Sequence, residues 1–238
     1  MKYTWATATH VGHVRDQNED SVAPEVDGSS SGPIVVAVAD GMGGAAAGEV
    51  ASRLAIDAAV AGPPADVDTS RRVLDANRAV LDAVLQDPSR AGMGTTMTLG
   101  VFDAEGTLHL GHVGDSRAYL LRNDELERLT TDHTYVMELV ARGQLSIEDA
   151  ASHPRRNLIT RVVGMDDITV DQSKVPLEPG DRVLFCSDGL TDMVLDDEIG
   201  RILRSQDSVP GAAWALVEAA NVAGGIDNTT VALIDVHP

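Results

Sequence analysis

Three apolar runs in this chain end alike, and that ending restricts the fold more than any total does. "VVAVADGMGG" (35–44), "LHLGHVGDS" (108–116) and "RVLFCSDGLTD" (182–192) each read as a buried strand that delivers an aspartate, next to glycine, at its tip. A carboxylate at a half-buried strand end is unfavourable unless a cation or a partner neutralises it. Several such ends in one fold imply that something positive collects them. The chain must therefore bring separate strand ends to a common place.

Around these runs the periodicity alternates between strands and pairs of helices. Tyr3, Trp5, Thr7 and Thr9 alternate as a first strand, followed by a polar loop over 15–20 and a Gly/Ser turn, "DGSSSGP" (27–33), before a strand over 34–39. From Gly48 the spacing becomes helical, with Val50, Leu54 and Ala58 beside Ala51 and Ala55. A second helix, capped by Asp68 or Thr69, carries Val73, Val80 and Val84 beside Leu74, Leu81 and Leu85. Residues 95–129 form a meander with hairpin turns at "FDAEGTL" and "LRNDEL". Residues 130–165 are helical and polar, with Ser146 and Asp149 placed as a capping box, and read as a peripheral flap. Strands return near 168–175 and 181–187, and helices follow at about 196–206 and 210–223. Pro210 suits a first turn and Gly224 a C-terminal cap, and "TTVALIDV" closes the chain as a strand. Strands in runs and helices in pairs argue against repeating βαβ units. The expected class is α+β: a central sandwich of two antiparallel β-sheets flanked by helix pairs on both faces, in one domain over 1–238, with a small helical flap at about 131–166.

Charge excludes several functions. With 37 acidic against 18 basic residues the formal net charge is −19, so neither nucleic acid nor an anionic membrane surface is an expected partner. Cys186 is the single cysteine, which rules out an internal disulfide and a zinc ribbon; it lies in an apolar strand and reads as inert core. The first residues, "MKYTWATATH", lack a signal-peptide core, and "PIVVAVA" is far shorter than a membrane span. The chain reads as soluble and cytoplasmic.

Other readings of the strand ends compete with a metal site. Asp-Gly is a common hairpin turn, but Asp40-Gly41 and Asp188-Gly189 both lead into helical sequence. Gly41, Gly43 and Ala46 match G-x-G-x-x-A, yet the helix that follows leads to another helix, and Asp40 would oppose a pyrophosphate. Aspartates and carbonyl oxygens are hard ligands, suited to Mg²⁺, Mn²⁺ or Ca²⁺. A calcium store remains an alternative, although no EF-hand loop is present.

Six segments in order then carry a specific resemblance: "RDQNED" (15–20), "VADGMGG" (38–44), "GMGTTM" (92–97), "GHVGDSRAYL" (111–120), "LFCSDGLTD" (184–192) and "DNTTV" (227–231). From about Thr7 to Val236 the chain resembles the bacterial PP2C-like metal-dependent serine/threonine protein phosphatases, and "TTDHTYV" with "HPRRNLITRVVG" resembles their flap. The family's fold is a β-sandwich between helices. By position, Asp40 matches the carboxylate bridging two metals, and Gly41 the carbonyl offered to one of them. Asp188 and Asp227 match the other direct ligands, Glu19 and Asp20 acids holding metal-bound waters, and Asp115 with Asp192 a looser third site. Arg15 matches the arginine that grips the substrate phosphate. The resemblance implies hydrolysis of phosphoserine and phosphothreonine by a water held between two Mn²⁺ or Mg²⁺ ions, in a monomer acting on phosphorylated proteins, including cytoplasmic kinases or their substrates.

Several residues keep an ordinary reading beside that one. Asp115 would also cap a turn, Asp192 the helix after it, and Arg15 would be a solvated surface residue; Asn228 reads as holding the turn beside Asp227. Relatives carry a histidine, the usual general acid, where this chain has Met42 or Ala45. A phosphoprotein-binding pseudophosphatase is therefore the alternative; in the enzyme reading, His133 and His153 of the flap are the next candidates for the acid.

Overall fold

Alternation along β4 (Ile34–Met42) shows why the strand is apolar throughout. Val36 and Val38 point into one buried cluster, with Phe102, Phe185 and Ile234, while Val35, Ala37 and Ala39 point into another, with Ala51, Val73 and Val80. A strand covered on both faces needs no polar side. The same parity turns Asp40 to the face of Val36 and Val38, between the two sheets.

The computed structural model describes residues 1–43 and 47–238. Strands β1 (Lys2–His10), β2 (Asp20–Ala23), β3 (Gly28–Ser30) and β4 precede helices α1 (Ala47–Val60) and α2 (Thr69–Gln86). The meander is β5 (Gly94–Thr95), β6 (Met97–Phe102), β7 (Thr107–Val113), β8 (Arg117–Arg122) and β9 (Glu125–Arg128). The insert holds α3 (Tyr135–Ala141) and α4 (Ile147–Ser152). β10 (Asp171–Pro176), β11 (Arg182–Cys186), α5 (Asp188–Thr191), α6 (Asp196–Ser205), α7 (Val209–Val222) and β12 (Thr229–His237) complete the chain.

The strands form two antiparallel sheets, β3-β1-β12-β11-β8-β9 and β10-β7-β6-β4-β2, with β5 on the end of β4. One apolar layer lies between them. A second lies under α1 and α2, and a third under α6 and α7. The expected sandwich with a helix pair on each face is what the chain forms.

Local signals hold well. Asp68 caps α2 by accepting from Arg71 N at 3.0 Å, Ser146 caps α4 from Asp149 N at 3.1 Å, and Pro210 sits in the first turn of α7. Asn123 and Asp124 take positive φ, as a two-residue hairpin turn requires.

Four details differ. β4 continues through Asp40-Gly41 to Met42, pairing with β5, so Asp40 lies within the strand's last turn of pleat rather than beyond it. "DGSSSGP" contains an edge strand, β3, whose Gly28 packs beneath the Trp5 ring. In α1 the fully buried stripe is Ala51, Ala55 and Ala59, with Val50 and Leu54 at its margin, and α2 leaves Leu74 and Leu85 exposed. The insert is only partly helical. Ala45 and Ala46, on which the histidine comparison and the fingerprint reading touched, lie outside the described residues.

Candidate metal centre

Asp40 is held from behind by its backbone. Its N–H donates to Thr96 Oγ1 at 2.9 Å, and its carbonyl accepts from Thr96 N at 2.9 Å and Thr95 Oγ1 at 2.8 Å. Asp20, in β2, is its direct cross-strand partner. Like charges at that register repel, so the pairing places the two carboxyl groups together at a stated disadvantage. Asp188 opens α5 where β11 leaves the other sheet, and its carboxyl group lies within hydrogen-bond reach of that of Asp40.

Both Asp-Gly glycines answer to packing. A Cβ on Gly41 would strike the Gly48 carbonyl and stand 2.6 Å from Glu19 O, and one on Gly189 would strike the Asn228 carbonyl. Only a residue without a side chain lets these backbones close so tightly behind the acids.

Asp115 sits in the β7–β8 connection, 6% exposed. Asp192 follows α5 as its C-cap, is exposed, and accepts from Asn157 Nδ2 of the insert at 2.7 Å. It does not cap α6, whose N-cap is Leu195. Asp227 accepts from Arg15 at 2.6 Å and from Asn228 N at 2.8 Å. That contact brings Arg15 to the edge of the acidic end, still half exposed.

Asn228 does more than hold its own turn. Its Nδ2 donates to the carbonyls of Val11 and Gln17, each at 2.9 Å, and its Oδ1 accepts from Glu19 N at 2.8 Å. It thereby clamps the loop carrying Arg15 and Glu19, and with it the start of β2 at Asp20, beside Asp227. Ser187 was also missed: its hydroxyl donates to Asp20 Oδ2 at 2.8 Å and accepts from Thr230 N.

The electrostatics call for a cation. Burial first, then the neighbouring carboxylates, holds Asp40 and Asp115 above the usual carboxylate range, and burial holds Asp20 there against the lowering hydrogen bonds of Thr230 and Ser187. Burial does the same for Asp188, against the lowering effect of its contact with Asp40. The Oδ1 atoms of Asp20, Asp115 and Asp188 are sealed from solvent and have no hydrogen-bond partner among the described residues. Buried acceptors are normally satisfied, so orphaned carboxylate oxygens at one end of the sandwich fit hard divalent cations. Among the described residues no three such side chains are already drawn into a closed ligand cage. The acids ring a space, each presented by a different element.

Two histidines weighed as proton donors are placed otherwise. His133 is buried: its Nδ1 accepts from Gly114 N at 3.0 Å, and its Nε2 faces Asp171 at 3.1 Å. It braces the turn behind Asp115. His153 ends α4, accepting from Arg155 N.

Comparison with known proteins gives a consistent answer. The family model for Protein phosphatase 2C matches residues 9–214. Protein phosphatase PhpP of Streptococcus pneumoniae is 39% identical over 239 residues, covering 96% of each chain. The crystal structure of the Mycobacterium tuberculosis serine/threonine phosphatase PstP/Ppp matches with TM-score 0.90 and 39% identity over 100% of both chains. The catalytic domain of serine threonine protein phosphatase PstP, in complex with 2 manganese ions, matches with TM-score 0.87 and 38% identity over 100% of this chain and 99% of that one. These likenesses favour an enzyme over a pseudophosphatase. The chain belongs to the protein phosphatase 2C family, the metal-dependent serine/threonine phosphatases.

Proposed function

We propose that this chain removes phosphate from phosphoserine and phosphothreonine in proteins with two Mn²⁺ or Mg²⁺ ions gathered at the acidic end. The observation that carries the reading is the set of acids with buried, orphaned oxygens, Asp20, Asp115 and Asp188, around Asp40. Asp40, the Gly41 carbonyl, Asp188 and Asp227 would hold the pair, Glu19 and Asp20 would act through water, and Asp115 with Asp192 would form a looser third site. When bound, a divalent pair lowers the pKa of water and offsets charge on the phosphoryl oxygens.

The chain's own groups supply position. Thr95 and Thr96 fix the Asp40 backbone, Asn228 fixes the loop, and Arg15 orients the phosphate dianion with a guanidinium shaped for two oxygens. Arg15 exchanges Asp227 for the substrate in doing so. Ser187 donates to Asp20 at this end, but it is fully buried and also accepts from Thr230 N, so it holds Asp20 in place and leaves the attack to water.

The same reading makes residues 1–238 one domain and a monomer that acts in the cytoplasm on kinases or their substrates. Turnover of a phosphothreonine peptide, followed with Mn²⁺ and with excess EDTA, tests it: activity should depend on the metal. Full turnover in EDTA would exclude the two-metal reading.

A further inference from the structure

A cavity of about 580 Å³ opens off the acidic end, with Asp115, Asp188 and Asp192 in its inner wall. It runs outward between the insert and the first turn of α6. One side is apolar: Val136 and Ala150 are buried there, and Ile147 is exposed at the rim. Leu195, 80% exposed, faces the same space from the other side.

The charges of the outer wall can be paired off. Arg117 and Arg128 both bind Asp132, and Arg117 also donates to the Tyr119 hydroxyl at 3.2 Å. That hydroxyl donates to Asp196 Oδ1 at 3.0 Å. Both arginines are thus taken by Asp132, Asp196 keeps only the tyrosine hydroxyl, and Asp197, which lines the same wall, has no ion pair among the described residues. A carboxylate in the first turn of a helix is also favoured by that terminus alone. The cavity decides between the two readings, because it opens directly off the acidic end, so whatever flanks a phosphoryl group held there must lie along this wall. The space is therefore built to receive a ligand, and Asp197 faces it. Arg156, the lining cation without an ion pair among the described residues, adjoins Asn157, which donates to Asp192, and so belongs to the inner end.

We propose that this cavity selects the substrate by a residue flanking the phosphorylated one, and that the residue is lysine or arginine. Its aliphatic stem lies on Val136, Met137 and Ile147, and its cationic head meets Asp197 beside Asp196. The inference rests on the phosphatase reading and names the substrates that the site prefers. The chain's surplus of acids would favour any basic peptide from a distance. The cavity adds a requirement for one position.

The test compares phosphothreonine peptides that differ only in carrying lysine, leucine or glutamate at each of the three positions on either side. p-Nitrophenyl phosphate, which has no flanking residue, serves as the control. In Mn²⁺ the full chain should prefer lysine over glutamate by about tenfold in kcat/KM at one position and far less elsewhere. Asp197→Lys should abolish that preference while leaving aryl phosphate turnover unchanged, and Asp197→Asn should reduce it about threefold. A preference spread evenly over all positions, or one that survives Asp197→Lys intact, overturns the proposal. Loss of turnover on every peptide and on the aryl phosphate in the unmodified chain overturns the phosphatase reading instead.

Discussion

Buried and half-buried acids occur in two kinds of place in this molecule. Toward the far ends of β8, β11 and β12 each has its arginine: Arg122 grips Asp181 at 2.8 and 2.6 Å, and Arg182 grips Asp235 at 2.6 and 2.8 Å. Asp181 is only 2% exposed and fully satisfied. At the end of the sandwich Asp20, Asp40, Asp115 and Asp188 share a smaller space, with Arg15 at its rim bound to Asp227. The chain plainly has the means to neutralise a carboxylate with its own side chains. Where it does not, the acids are kept for something that arrives from outside.

Asp40→Asn should show the difference most strongly. Activity in Mn²⁺ should fall at least about a hundredfold, because the residue is proposed to hold both ions. In EDTA the same variant should melt higher than the parent, since one repelling charge is gone. Asp181→Asn should do the opposite: it leaves Arg122 without its carboxylate and should lower stability by about 3 kcal/mol, with the metal dependence of turnover retained. If both variants shifted the melting temperature in the same direction, the contrast between the two regions would be wrong.

Arg15→Ala comes next. A charge-assisted contact with the phosphate contributes about 1.5–3 kcal/mol, and Arg15 is half exposed, so KM for a phosphopeptide should rise about tenfold. Mn²⁺ affinity should not fall, because the substitution frees Asp227. A KM equal to that of the parent returns Arg15 to a surface role.

Asp192→Ala should be milder. It removes the exposed member of the proposed third site together with its bond to Asn157, and turnover should drop a fewfold with the tight metal pair retained. Loss of all metal binding in this variant would show that the aspartates have been divided wrongly.

The smallest effect is on pH. Asp188, pushed up to about 6, and Asp115, pushed up to about 8, bind protons more tightly folded than unfolded. Between the ordinary carboxylate range and those values the folded state carries the extra protons, so stability falls as pH rises through the window. The metal-free chain should therefore melt a few degrees higher at pH 5 than at pH 8. Asp40→Asn should narrow that gap, and so should added Mn²⁺.

What the sequence disclosed follows the same division. Asp40 and Asp188 were legible because an acid at the end of an apolar run is conspicuous, and because glycine follows each. Asp115 showed the same ending but is equally at home as a turn residue, and Arg15 was legible only through ordered resemblance, since alone it is a surface residue. Asn228 was underestimated because its partners are backbone groups near residues 11–19, more than 200 positions away. Ser187 and Thr96 look like ordinary strand-end hydroxyls until their acceptors are known. β3 was hidden by a Gly/Ser composition that only an edge strand tolerates, and His133 by polar neighbours that disguised its buried seat behind Gly114. Covalent neighbours reveal a residue's period; they do not reveal what lies across the sandwich.

Calorimetric titration of Mn²⁺ onto the metal-stripped chain, run in parallel on Asp40→Asn and Asp181→Asn, tests the central claim most directly. The account predicts at least two saturable ions on the parent and on Asp181→Asn, with a higher melting temperature on saturation, and loss of the tight binding in Asp40→Asn. Equal binding by all three proteins, or none by the parent, would contradict it.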